Sequence, residues 1–131
     1  MTYGILGIDT IQSSTTGTPP QFNDGSGAQI GTLCRAWVNF NGSTAAIRGS
    51  FNVTSVTRTA TGTYTIAFTN SLPDANYSAF IGSQQTDAAV ASSNGSLGML
   101  YNYATASIKA ITPNASGSNV DMLFVNVSVF R

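Results

Sequence analysis

From Leu33 onward the chain is written in short alternating runs separated by turn residues, and this restricts it to β-structure more than any other feature. RAWVNFN (35–41) and AIRGSFNV (46–53) flank the four residues GSTA. Pairing Asn41 with Ala46 sets Phe40 opposite Ile47, Val38 opposite Gly49 and Ala36 opposite Phe51, all on one apolar face. The opposite face then collects Arg35, Trp37, Asn39 and Arg48. A slip of one residue would mix the two sets, so the pattern specifies a register.

A second hairpin follows the same logic. Residues 51–58 and 63–69 flank TATG, with Val53 opposite Phe68, Ser55 opposite Ile66 and Thr57 opposite Tyr64. Together these runs predict a three-stranded meander with one continuous core face. A Pro-Asp turn at LPDANY leads into a further strand over 77–82. Two more strands are expected over 99–111 and 120–131. The segment 83–98 lacks alternation and reads either as a binding loop or as a plain crossover between sheets. Residues 1–30, with Pro19-Pro20 and scattered Gly, read as an extended N-terminal arm. The expected architecture is all-β: an antiparallel β-sandwich over 31–131 preceded by that arm.

The last segment, VDMLFVNVSVFR, is apolar on both faces, with Leu123, Val125, Val127 and Val129 on one and Met122, Phe124 and Phe130 on the other. Burial on both sides is implied, against a second sheet or another subunit. Leu123, Val125, Val127 and Phe130 are therefore candidate oligomer contacts. Trp37, the chain's one Trp, joins them with Arg35 and Arg48, because interfaces enrich Trp and Arg as anchors. On the interface reading Arg covers Trp; on the other reading the same face is a ligand platform suited to sugars.

Composition excludes several functions. Only 8% of the 131 residues are charged, against roughly 25% in an ordinary soluble domain. Net charge is zero, which leaves no basic footprint for nucleic acid. No apolar run is long enough to predict membrane insertion, and the N-terminus lacks the pattern of a signal peptide. The lone Cys34 is expected to be a buried thiol. His is absent and the acidic residues are all Asp, scattered at 9, 24, 74, 87 and 121, so neither a histidine metal site nor a Ser–His–Asp triad can form. No cofactor, no metal and no catalytic residue is expected, and the chain reads as non-enzymatic. GSGAQIG (25–31) has the wrong spacing for a dinucleotide loop, and NDGSG (23–27) offers too few oxygens for calcium.

CRAWVNFNG and PDANY, within the longer stretch Gly31–Tyr77, resemble a module of phage tail-fibre and other virion proteins, especially from phages of cyanobacteria and other aquatic bacteria. The resemblance implies an all-β virion domain, commonly trimeric, assembled in the host bacterial cytoplasm. It implies a tail-fibre or fibre-tip component contributing to host attachment, with other virion proteins and a host-surface glycan as partners. A capsid decoration or head-fibre protein is the alternative, and the short length with its own Met1 suits a fibre tip or decoration better than a complete fibre. Recognition is expected on the loop region, where Gln84, Gln85, Asn94 and Asn102 offer paired donors and acceptors to sugar hydroxyls.

Overall fold

The computed structural model describes residues 7–14, 20–86 and 98–131, and Asn94 and Asp87 lie outside them. The chain divides into two compact units, Met1–Leu33 and Cys34–Arg131. In the first, β1 (Phe22–Asn23) pairs with β2 (Gln29–Gly31) around a turn built on Asp24. One carboxylate oxygen, Oδ1, accepts from the Ser26 and Ala28 amides at 2.9 Å each and from the Ser26 hydroxyl at 2.7 Å. Gly27 takes the left-handed φ of 87° that closes the turn. Asn114, Ser116 and Gly117 repeat the device in the second unit. The Asp24 oxygen offered to calcium by the sequence is thus engaged in its own loop.

The second unit is a sandwich of two four-stranded antiparallel sheets, as the alternation predicts. Its strands are β3 (Cys34–Phe40), β4 (Ile47–Phe51), β5 (Val53–Ala60), β6 (Thr63–Phe68), β7 (Ser78–Gln84), β8 (Met99–Tyr101), β9 (Ser107–Ile111) and β10 (Phe124–Phe130). The first sheet runs in the order β4-β3-β10-β7 and the second β5-β6-β9-β8. Between them lie Ala36, Val38 and Phe40 from β3, Tyr64, Ile66 and Phe68 from β6, and Val125, Val127 and Val129 from β10. Phe40 meets Tyr64 edge-to-face with centroids 5.0 Å apart.

The predicted meander is not formed. β4 belongs to the first sheet and β5 to the second, with the single residue Asn52 between them. Asn52 turns the corner at φ 55°, a conformation Asn tolerates better than most side chains. Its amide nitrogen donates to the Arg35 and Asn70 carbonyls at 3.0 and 3.1 Å, and its Oδ1 accepts from the Asn70 amide at 2.7 Å.

Bulges account for the register differences. Phe40 does face Ile47, but Asn39 faces Gly49 and Trp37 faces Phe51, which leaves Arg48 as an extra residue. Phe51, expected inside, is therefore carried to the outer face, 56% exposed, and Ile47 is 37% exposed at the rim. In β5 and β6, Val53 faces Phe68 as expected, while a bulge between Val53 and Ser55 sets Val56 rather than Ser55 opposite Ile66, and a second sets Ala60 opposite Thr63. The strand expected over 99–111 is a hairpin, β8 with β9, because Asn102 at φ 51° breaks the extension. The strand expected from 120 begins at Phe124.

Residues 120–122 instead tie the two sheets together. Arg58 grips the Asp121 carboxylate with two bonds, of 2.9 and 2.7 Å, and the Gly62 amide and Tyr64 hydroxyl add 2.8 and 3.2 Å contacts. Next along the chain, the Gly42 amide of the first sheet's hairpin donates to the Met122 carbonyl at 2.8 Å. A Cβ on Gly42 would stand 2.5 Å from that carbonyl oxygen, so a side chain there is sterically excluded.

Two measurements test these locks. Asn52→Ala should lower stability by about 2–3 kcal/mol, from lost hydrogen bonds and a left-handed Ala. Asn52→Gly, which relieves the backbone but not the bonds, should cost about 1 kcal/mol less, read from urea unfolding midpoints. Asp121 is held below the ordinary carboxylate value of 3.8, first by Arg58 and then, against the cost of burial, by the Gly62 amide and Tyr64. Its stabilisation is complete above that value and is lost as pH falls through the lower folded value, so wild type should weaken in acid below about pH 4. Asp121→Asn should flatten part of that acid limb in a pH series of thermal unfolding. Asp74, lowered by Arg131, supplies the same sign of dependence in both proteins.

Candidate functional site

The outward face of the first sheet is unlike that of the second. Pairing across its four strands places Phe51, Trp37, Ser128 and Phe80 in one row, from β4 through β3 and β10 to β7. Phe51, Trp37 and Phe80 are 56%, 42% and 64% exposed. The next row along the strands is Gly49, Asn39, Asn126 and Gly82. Beyond it come Phe124 and Gln84, paired with each other. By the same alternation, the outer positions of β6 and β9 in the second sheet are Thr63, Thr65, Ala67, Ser107, Lys109 and Ile111. On β8, Met99 and Tyr101 share that outer face, but the larger aromatic set is on the first sheet's exterior, and the bulge at Arg48 is what adds Phe51 to it.

The middle row forms a low strip. Gly82 would place a Cβ in open space, with nothing within 4 Å. Trp37 leans across to β4, its ring carbons lying 3.4 and 3.5 Å from where a Gly49 Cβ would stand. In the centre the Asn39 amide donates to Asn126 Oδ1 at 2.5 Å. That leaves the Asn39 oxygen and the Asn126 nitrogen without another side-chain partner among the described residues. The strip is therefore lined with one acceptor and donors, and is banked by rings.

Arg48 closes the far bank. From β4 its guanidinium crosses over β3 to lie 4.2 Å from the centroid of the Phe124 ring on β10, and it donates to the Leu123 carbonyl at 2.8 Å. This corrects the expectation that Arg covers Trp37: the cation stacks on Phe124, and Trp37 rests against Gly49. Among the described residues the ion pairs are Arg58–Asp121 and Arg131–Asp74, so neither Arg35 nor Arg48 has a carboxylate partner. None of the four strands of this sheet contains an acidic residue.

The other expected site residues fall as follows. Val125 and Val127, read as candidate subunit contacts, are 0% and 2% exposed inside their own chain's core, because β10 is a central strand facing the second sheet. Leu123 is half-buried ahead of β10, and Phe130 is half-buried on the outer face, edge-to-face with Phe80 at 6.1 Å. Gln84 lies on the same face as Trp37 and Arg48, while Gln85 follows just beyond the end of β7. Asn102 is in the turn of the β8–β9 hairpin on the second sheet, and Asn94 is outside the described residues. Cys34, expected to be buried, is half-buried, its thiol donating to the Ala36 carbonyl at 3.3 Å. Sequence reasoning missed Phe51 and Phe80; for Phe80 the alternation of SAFIGSQ carried the signal, and for Phe51 a single-residue bulge reversed it.

No family model matches this chain, and no curated protein matches it. Among solved structures it is similar to the crystal structure of the phiAB6 tailspike in complex with three-repeated oligosaccharides of Acinetobacter baumannii surface polysaccharide. Identity is 18% and the TM-score 0.48, over 94% of this chain; the chain spans 30% of the tailspike's length. In view of this match to a tailspike solved with oligosaccharides, the expectation of a non-enzymatic chain is withdrawn.

Proposed function

We propose that this chain is a bacteriophage virion component, a tail-fibre or fibre-tip module that contributes to attachment at the host surface. The observation that carries the reading is the exposed aromatic face of the first sheet. Trp37, Phe51 and Phe80 stand in the open in one row across a single sheet, and exposed aromatic patches of this kind mark interaction sites. The sequence resemblance over Gly31–Tyr77 supports a virion setting for that interaction. Homotrimer assembly belongs to the proposal through the resemblance alone, since Val125 and Val127 are occupied within their own chain. In a trimer three copies of the face would combine weak contacts into avidity.

Two experiments test this reading. Antibody-labelled virions viewed by electron microscopy should carry label on the tail; label on the capsid would instead assign the chain to decoration. Purified protein added before phage should reduce adsorption to host cells. Trp37→Ala should lose this competition while remaining folded, with a stability loss of about 1–2 kcal/mol as befits a ring already partly in water. Undiminished competition by Trp37→Ala would remove the face from the proposal.

A further inference from the structure

We infer that the strip between the Trp37 row and Arg48 binds an acidic oligosaccharide, one whose sugars carry carboxylates. This rests on the attachment reading and names its ligand. The argument begins with shape. The Trp37 row and the Phe124 bank stand four residues apart along the strands, about 13 Å, with the Asn39–Asn126 pair between them. The strip runs across four strands, roughly 14 Å, with the Trp37 ring against its Gly49 end and open space at its Gly82 end.

Its chemistry is that of sugar recognition. The C–H faces of a pyranose carry slight positive charge and stack on the negative face of an aromatic ring, which Trp37 offers beside the strip. Hydroxyls at the ring edge pair one donor with one acceptor. Asn39 and Asn126, already bonded to each other, present the complementary oxygen and nitrogen from a fixed geometry. Their mutual bond removes much of the rotamer freedom that a ligand would otherwise have to freeze.

Charge selects among sugars. Arg48 is held on the strip's far side by its Leu123 bond and the Phe124 ring, and its other N–H groups remain to donate. No carboxylate among the described residues pairs with it, and no acidic residue occurs on any strand of this sheet. A cation fixed in place by neutral groups, on a sheet whose strands carry no acidic residue, favours a carboxylate over a neutral hydroxyl.

The chain's one Trp supplies the reporter. Tryptophan emission of the full chain is titrated with oligogalacturonate, with oligosialic acid and, as the neutral control, with maltoheptaose. At least one acidic oligomer should shift or quench the emission saturably, and the midpoint should weaken several-fold between low and physiological salt. Arg48→Gln should weaken that midpoint at least tenfold, whereas Lys109→Gln on the second sheet should leave it unchanged. Maltoheptaose binding equally well, or Arg48→Gln binding as wild type, would overturn the acidic assignment. No response to either acidic oligomer would overturn the site itself, although tail labelling and adsorption competition could still hold. If iodide fails to quench Trp37 in the native protein, the face is covered and the inference is also overturned. Acidic-sugar binding in a protein absent from virions would leave the site standing and defeat the attachment reading.

Discussion

The edge-to-face contact between Phe40 and Tyr64 joins the two sheets across the core, and burying it constrains the polar groups around it. Tyr64 brings a hydroxyl into the core, where burial pushes its ionisation up and demands an acceptor. Asp121 is that acceptor, and a carboxylate so placed requires a cation, which Arg58 provides from the neighbouring strand. Gly62 and Gly42 then follow from geometry, because chain segments carrying these partners pass too close for a side chain. One aromatic pair thus dictates a polar network that pins residues 120–122 where alternation alone would have drawn a strand.

Legibility from sequence divided along a physical line. Period-two alternation is a property of paired backbone, so β3, β6, β7 and the all-β class could be read directly, as could the inward set Val38, Phe40, Tyr64 and Ile66. Where the chain leaves one sheet for the other, alternation continues across the corner and carries no mark of the change. Asn52 occupies that corner, and nothing in GSFNVTS distinguishes a bend from a continuing strand. The same blindness applies to bulges: a single inserted residue reverses the sense of every position after it, which is why Phe51 was expected inside and stands outside.

The candidate site was legible in its members and not in its arrangement. Trp37, Arg48 and Gln84 could each be singled out, but as parts of two unrelated surfaces, an interface and a loop. Their meeting depends on β10 inserting between β3 and β7, a pairing of segments far apart in sequence. The two valines of β10 illustrate the converse. Their apolarity demanded a cover, and only topology shows that the chain supplies it.

Gly82 has a consequence for how such a surface can diversify. Its Cα faces open space at the β7 end of the strip, with no neighbouring atom to obstruct a substituent. Any residue installed there projects into the path between the aromatic row and the opposite bank while leaving the hydrophobic interior untouched. A lineage meeting a new partner could therefore alter the chemistry of this surface by single-codon change, with folding and recognition free to vary independently at that position.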